Sequence, residues 1–212
     1  MITKQLSTIA TGSAAGAAFG LLALALVGAT GAAADVTIGN PAPDFKARDS
    51  NGKPVSLSDY KGKTVVLEWT NPECPYVKKH YNTANMQTLQ KEAGGAGVVW
   101  LTLSSATPGK NGYVNELEAN AWMEQQKAKP AAFVLDPDGR IANTYGVKLA
   151  LHMFVVDPKG TLAYAGAIDD KPTSKPDDVK GAKNYVRDAM SAVAAGRAMQ
   201  PAVTRPYGCF AR

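Results

Sequence analysis

Two cysteines carry the chemistry that is most readily expected of this sequence. Cys74 stands in LEWTNPECPYVKKHY (residues 67–81), between an apolar run typical of a buried strand and a segment typical of a helix. Backbone N–H groups and the helix dipole stabilise negative charge at a helix N-terminus, so a thiolate is favoured there. The position therefore predicts a nucleophilic thiol at Cys74.

The second sulfur is not where a local dithiol motif would place it. Val77 stands three residues after Cys74, whereas Cys209 lies in TRPYGCF, close to the end of the sequence. We expect this segment to be an exposed, flexible tail that can bring Cys209 to Cys74. Three states stay open: a redox-active pair, a static disulfide and two separate thiols. A static disulfide across so long a loop would stabilise the fold by about 4–5 kcal/mol in the chain-entropy description.

The first 34 residues are typical of an export signal. Lys4 is the only charge before Asp35, and an apolar stretch of small residues leads to the A-x-A pattern at 32–34. We predict cleavage after Ala34 and a periplasmic or otherwise exported protein without stable membrane association; a retained membrane anchor is the alternative. Two cysteines can pair in such an oxidising compartment.

The charge pattern does not predict a nucleic-acid partner. The formal net charge of the 212 residues is +5, and the basic residues are scattered over the sequence instead of forming one patch. The densest basic group near Cys74 is Lys78, Lys79 and His80. These side chains either add positive charge beside a thiolate or are solvated surface charges.

Strand-like and helix-like segments alternate along the sequence. Apolar runs predict strands in residues 64–69 and 97–103, and strands followed by D-P-x-G turns within 131–147 and 152–166. Helices are predicted within 76–93, 113–129 and 179–196, and a hairpin tip at Ser50–Gly52. The alternation predicts an α/β sandwich with a central mixed sheet, formed by one domain at 35–196, with residues 197–212 as a tail.

The order of these motifs resembles the thioredoxin-like redoxins, and more narrowly a bacterial thioredoxin-family or redoxin-domain subgroup. The superfamily includes the alkyl hydroperoxide reductase/thiol-specific antioxidant group and exported thiol–disulfide oxidoreductases. The matching motifs are PAPDF, SLSDYKGKTVVLEW, the CP of Cys74 and Pro75, DPDGRIANTYGV and HMFVVDPKGTLAYAG. The resemblance implies a sheet of four or five strands, an active Cys74 at the start of a helix, and Cys209 as resolving thiol. It implies no bound cofactor, since a redox partner protein, a disulfide or a peroxide exchanges electrons with the sulfurs.

Several positions depart from the family pattern. Val77 replaces the second cysteine of C-x-x-C, and Asn71 stands where peroxiredoxins carry Thr or Ser, with Thr70 one place too early. Leu151 stands at the cis-proline position of related folds, and we expect a trans bond there because a non-proline cis bond costs roughly 2.5–4 kcal/mol. Thiol–disulfide exchange is therefore the leading interpretation, with a thiol-dependent peroxidase and a non-catalytic binding protein as alternatives.

Four further side chains flank the predicted site. Trp69 is expected in the core, close enough to the thiol loop to line its pocket, and His152 could face Cys74. Glu68 is either a buried proton acceptor for the thiol or, more simply, a solvated carboxylate at a sheet edge. His80 is six residues from Cys74, a spacing that does not place two ligands on one helix face, so we predict no metal site.

Overall fold

The computed structural model describes residues 1–3 and 36–212. The predicted cleavage site after Ala34 lies outside the described residues. Within the described part of the chain, no helix combines the length and apolar character that a membrane crossing requires.

In the part of the chain that the structure describes, seven strands form one mixed sheet, more than the four or five that the resemblance implied. The strand order is β2-β1-β5-β4-β3-β6-β7, with β3, β4 and β5 parallel and the other neighbours antiparallel. The strands are β1 (Lys46–Asp49), β2 (Pro54–Ser56), β3 (Val65–Trp69), β4 (Val99–Ser104), β5 (Ala132–Leu135), β6 (Met153–Val156) and β7 (Leu162–Gly166). The predicted α/β sandwich with a mixed sheet is confirmed.

Residues 36–212 contain five α-helices beside the sheet: α1 (Pro75–Asn82), α2 (Asn85–Gly95), α3 (Glu116–Gln126), α4 (Arg140–Thr144) and α5 (Tyr185–Ala194). The prediction of a single helix over 76–93 is wrong. Ala84 adopts a left-handed backbone conformation (φ 57°), which separates α1 from α2. The last helix begins later than predicted, at Tyr185, where the Asn184 side chain accepts a hydrogen bond from the N–H of Arg187.

The two faces of the sheet bury two separate clusters of apolar side chains. Alternation along β3 sends Val66 to one face and Leu67 and Trp69 to the other, as expected of a strand covered on both sides. Cys74 belongs to the cluster of Val66, which lies under α1, α2 and α5. The thiol site therefore occupies one face of the sheet.

The C-terminal segment (199–212) does not form the free tail that the sequence predicted, because its backbone is hydrogen-bonded to the rest of the fold. It runs beside β7, where the N–H of Ala165 donates to the carbonyl of Ala202 and the N–H of Thr204 donates to the carbonyl of Ala165. The Thr204 hydroxyl accepts a hydrogen bond from the N–H of Ala167 over 2.9 Å. Gly166 makes this approach possible, because a Cβ there would lie 2.1 Å from the Thr204 Oγ1.

Candidate functional site

Cys74 ends the short loop that connects β3 to α1. Its N–H donates to the carbonyl of Asn71 over 3.0 Å, which closes a tight turn, and its own carbonyl accepts from the N–H of Lys78 over 2.9 Å. Cys74 is thus the N-cap of α1, and Pro75 occupies the first helical position, where its missing N–H costs nothing. The predicted position of the thiol at a helix N-terminus is confirmed.

Cys74 and Cys209 form a disulfide across a sequence separation of 135, with their Cα atoms 5.7 Å apart. This excludes the alternative of two separate thiols for this state of the protein. The N–H of Cys209 also donates to the Cys74 Sγ over 3.2 Å. Cys74 is only 1% exposed, whereas Cys209 is partly exposed.

The segment around Cys209 pairs with the loop that precedes β6. The N–H of Ala150 donates to the carbonyl of Cys209 over 2.8 Å, and the N–H of Ala211 donates to the carbonyl of Lys148 over 3.0 Å. Gly208 adopts a φ of 137°, and a Cβ there would lie 2.4 Å from the carbonyl oxygen of Ala150. A side chain at 208 would therefore block the approach that brings Cys209 to Cys74.

Leu151 closes this loop in a conformation that is uncommon for its residue type. Within residues 36–212 the one cis peptide bond precedes Pro201, so the bond before Leu151 is trans, as expected. Leu151 is instead left-handed (φ 60°) and fully buried, and its N–H donates to the carbonyl of Trp69 over 2.7 Å. A strained backbone at a candidate site marks a position that the surrounding structure enforces.

Asn71 ties the C-terminal segment to a second loop. Its amide nitrogen donates to the carbonyl of Phe210 over 3.2 Å and to that of Asn111 over 3.4 Å, while its oxygen accepts from the N–H of Glu73. Thr70 is buried beside it, and its hydroxyl makes no hydrogen bond within the described part of the chain. The amide of Asn71 is therefore committed to holding backbone in place.

A buried polar cluster anchors the same segment two residues before Cys209. The Tyr207 hydroxyl donates to Asp169 Oδ1 over 2.5 Å and receives Lys79 Nζ at 3.3 Å and His80 Nε2 at 3.0 Å. We call Tyr207, Lys79, His80 and Asp169 the Tyr207 cluster. All four side chains are almost fully buried.

Burial sets the protonation of this cluster. Removal from water, helped by the neighbouring charge of Lys79, lowers the pKa of His80 to about 3, so the imidazole is neutral at physiological pH. Burial likewise lowers the pKa of Lys79 and raises the pKa values of Asp169 and Tyr207. Of the basic group predicted beside Cys74, only Lys78 is a surface charge, and it pairs with Glu73 at 3.0 Å.

Two residues that we expected near the thiol lie elsewhere. The Trp69 indole packs with Tyr145 and Phe154 in the cluster on the opposite face of the sheet, and its Nε1 donates to Ser105 Oγ. The His152 ring packs against Phe154, with ring centroids 4.3 Å apart. His152 and Tyr145 both line a cavity of about 480 Å³. Burial lowers the pKa of His152 to about 4. Neither side chain lines the thiol site.

Glu68 is fully buried, so its interpretation as a solvated edge carboxylate is wrong. Its oxygens accept from the Tyr81 hydroxyl, from Trp100 Nε1 and from the Thr102 hydroxyl over 2.8–2.9 Å. Burial raises the pKa of the carboxyl group, and these three hydrogen bonds oppose the rise. Strand alternation alone could not identify these partners, because they come from α1 and β4.

Sequence reasoning missed Tyr207 and Asp169. Asp169 lies in IDDKPTSKPDD, which has the composition of a solvated loop, yet its carboxylate is buried. The available signal was the spacing of Tyr207, an aromatic residue with a polar tip two positions before the remote cysteine.

Comparisons with known proteins agree with this fold. Residues 38–165 match the description "AhpC/TSA family". The thiol-disulfide oxidoreductase ResA of Bacillus subtilis is 26% identical over 125 residues, which cover 59% of this chain and 64% of that protein. The chain thus matches just under two thirds of this curated relative's length.

Solved structures show the same fold at low sequence identity. A hypothetical protein from Sinorhizobium meliloti superposes with a TM-score of 0.73 at 20% identity, covering 84% of this chain and 94% of that one. The thioredoxin domain of a thiol-disulfide oxidoreductase from Bacteroides vulgatus gives 0.51 at 21% identity, covering 68% and 96%. These likenesses establish the thioredoxin-like fold.

Proposed function

We propose that this chain, which belongs to the AhpC/TSA family, is a thiol–disulfide oxidoreductase that works through Cys74 and Cys209. One observation carries the proposal: the thiol position at the N-terminus of α1 is bonded to a cysteine from the far end of the sequence. The pair thus supplies the two sulfurs that a C-x-x-C motif would hold in one turn.

The reaction moves two electrons between the pair and a dithiol partner. A partner thiolate attacks the more exposed sulfur, that of Cys209, forms a mixed disulfide with it and releases Cys74 as the thiolate. The second partner thiol then attacks the mixed disulfide, which leaves the partner oxidised and both cysteines reduced. In the opposite direction, the Cys74 thiolate is the nucleophile that closes the pair. Cys74 therefore resolves the mixed disulfide on Cys209, which reverses the role of resolving thiol that the resemblance implied for Cys209.

The site favours Cys74 as the leaving group and as the thiolate. Its sulfur lies at the N-terminus of α1 and accepts the N–H of Cys209 over 3.2 Å. The helix dipole and this hydrogen bond both stabilise negative charge on that sulfur. A lower thiol pKa makes a better leaving group in exchange.

We place the protein in an exported, oxidising compartment. The signal-like first 34 residues and the disulfide between its only two cysteines support this placement. Its redox partner there is a protein dithiol or disulfide, and the exchange needs no bound cofactor.

The two alternatives have less support. In peroxiredoxins the donor stands three residues before the cysteine, and here the Asn71 amide at that position is already bonded to the carbonyls of Phe210 and Asn111. A non-catalytic binding protein would be consistent with Leu151 and Val77, and its disulfide would then serve only to stabilise the fold. That role does not require the placement of one of the two sulfurs at the N-terminus of α1.

The test is reduction of a small peptide disulfide by the prereduced protein, with reduced glutathione added as electron donor when turnover is measured, for the wild type, Cys74→Ser and Cys209→Ser. We expect turnover in the wild type, and loss of turnover in both variants, with Cys74→Ser trapping a mixed disulfide on Cys209. A Lys78→Ala variant is the matched control, because Lys78 is an exposed residue of the same helix. Turnover that survives in Cys74→Ser, or a wild type without turnover, would contradict the proposal.

A further inference from the structure

We infer that the Tyr207 cluster positions Cys209 for its reaction with Cys74, so that Lys79, His80, Asp169 and Tyr207 are positioning residues of the redox pair. The inference rests on the proposed function, and it adds to that function the groups that hold the remote cysteine in reach. Within residues 36–212, none of these four side chains is hydrogen-bonded to the sulfur of Cys74 or Cys209.

The cluster and the reactive sulfur share one rigid element. Lys79 and His80 lie five and six residues after Cys74 on α1, which corresponds to a rise of about 7–9 Å along the helix axis. Tyr207 precedes Cys209 by two residues, and two extended residues span up to about 7 Å. A segment anchored at Tyr207 therefore reaches the helix N-terminus with Cys209.

The hydrogen bonds assign a single proton arrangement. Tyr207 gives its one hydroxyl proton to Asp169, so the His80 Nε2 must carry a proton in order to donate to the Tyr207 oxygen. The other ring nitrogen, Nδ1, then accepts from Asn85 Nδ2 over 2.8 Å. Lys79 Nζ divides its donors between the Tyr207 oxygen and the carbonyl of Lys171 at 2.8 Å. The imidazole is neutral in this arrangement, as its low pKa requires.

The tyrosine hydroxyl is the common partner on which the cluster depends. Lys79 and Asp169 are buried and oppositely charged, yet the structure has no direct ion pair between them within 4 Å among the described residues; both bond Tyr207. Asp169 Oδ2 makes no hydrogen bond within this part of the chain and lies 3.8 Å from His80 Nε2. If the C-terminal segment undocked, Lys79 and Asp169 would lose the Tyr207 hydroxyl as hydrogen-bond partner. Leaving buried polar groups unpaired in this way costs free energy.

The consequence for the reaction is a high effective concentration of Cys209 at Cys74. When the disulfide is reduced, the cluster keeps the segment docked, and Cys209 stays within reach for closure. Without the anchor, the reduced segment can leave, whereas the oxidised segment remains tied by the disulfide. Loss of the anchor therefore shifts the equilibrium toward the dithiol.

The test is the equilibrium between the disulfide and reduced glutathione, in which two glutathione thiols become oxidised glutathione and the pair becomes a dithiol. Tyr207→Phe keeps the aromatic ring and removes the hydroxyl. We expect the equilibrium constant for disulfide formation to fall about tenfold. Tyr145→Phe is the control, since the buried Tyr145 hydroxyl also donates a hydrogen bond, to the carbonyl of Pro43 over 2.6 Å, on the opposite face of the sheet. We expect less than a twofold change there.

Hydrogen exchange in the reduced proteins separates positioning from general stability. The N–H groups of Cys209 and Ala211 should stay protected in the reduced wild type and in Tyr145→Phe, and lose protection in Tyr207→Phe. Asp169→Asn, which retains an acceptor for Tyr207, should shift the glutathione equilibrium less than Asp169→Ala.

A shift in Tyr207→Phe no larger than that in Tyr145→Phe overturns the inference, as does unchanged protection of the reduced segment. Failure of the proposed function looks different: the protein would not exchange with peptide disulfides, although the glutathione equilibrium would still respond to Tyr207→Phe.

Discussion

The N–H of Cys209 donates a hydrogen bond to the sulfur of Cys74, its own disulfide partner, over 3.2 Å. The bond shows that the backbone around Cys209, and not its side chain alone, is fitted to the N-terminus of α1. The fit depends on Gly208, on the loop before β6 and on Asn71.

Gly208→Ala should weaken the pairing of the two cysteines. A Cβ at 208 would lie 2.4 Å from the Ala150 carbonyl oxygen, and the positive φ is unfavourable for alanine. We expect the equilibrium constant for disulfide formation against glutathione to fall at least tenfold. Gly196→Ala is the control, because Gly196 also has a positive φ (63°) but has open space around its Cβ position. An equal shift in both variants would mean that backbone strain, and not the approach to Ala150, causes the effect.

Asn71→Asp should destabilise the fold although it preserves the shape of the side chain. The amide nitrogen that donates to the carbonyls of Phe210 and Asn111 becomes an oxygen that faces them. We expect the free energy of unfolding at pH 7 to fall by about 1–3 kcal/mol, the range for unsatisfied buried groups. Denaturant titration measures it. A loss below about 0.5 kcal/mol would show that these contacts contribute little.

Leu151→Pro restores the residue type of related folds and should nevertheless be harmful. Proline cannot adopt the φ of 60° found here, and it removes the N–H that donates to Trp69. We expect a loss of unfolding free energy about 3 kcal/mol beyond that of Leu151→Ala, which accounts for the lost side chain alone. Equal stability of the two variants would mean that the loop accepts a proline backbone.

The stability of the fold should decrease in mild acid because of His80. Its pKa is about 3 in the folded protein and 6.5 when the side chain is exposed to water, so below pH 6.5 the unfolded chain binds a proton that the folded protein does not. This group alone should cost about 2 kcal/mol of unfolding free energy between pH 7 and pH 5. The raised pKa of Asp169 acts in the opposite direction, since there the folded protein binds the proton more tightly.

Comparison with His80→Gln isolates the histidine contribution. Denaturant titrations at both pH values should show a larger loss from pH 7 to pH 5 in the wild type than in the variant. Identical pH dependence of the two proteins would contradict the assigned neutral imidazole.

The sequence was sufficient to predict the structural elements that are determined by neighbouring residues. The β-branched run of β3, the Asp157–Gly160 turn between β6 and β7, and the placement of Cys74 at a helix start all follow from neighbouring residues. The break at Ala84 did not, because an alanine in a left-handed backbone has no signature of its own.

The parts of the site that are formed by segments distant in sequence could not be predicted from the sequence. Whether Trp69 and His152 face the thiol depends on which side of the sheet each turns to, and a shift of one residue reverses the answer. Tyr207 and Asp169 come into contact only because the C-terminal segment packs against the rest of the fold. Their spacing in the sequence therefore does not predict the contact.

The central claim is tested most directly by a non-reducing peptide map of the mature protein, repeated after mild reduction and after re-exposure to a limiting oxidant. We predict a Cys74–Cys209 bridge that opens under mild reduction and closes again with both cysteines recovered in the same linked peptide. A bridge that resists reduction until the protein unfolds, or two thiols that stay separate after reoxidation, would contradict the redox cycle.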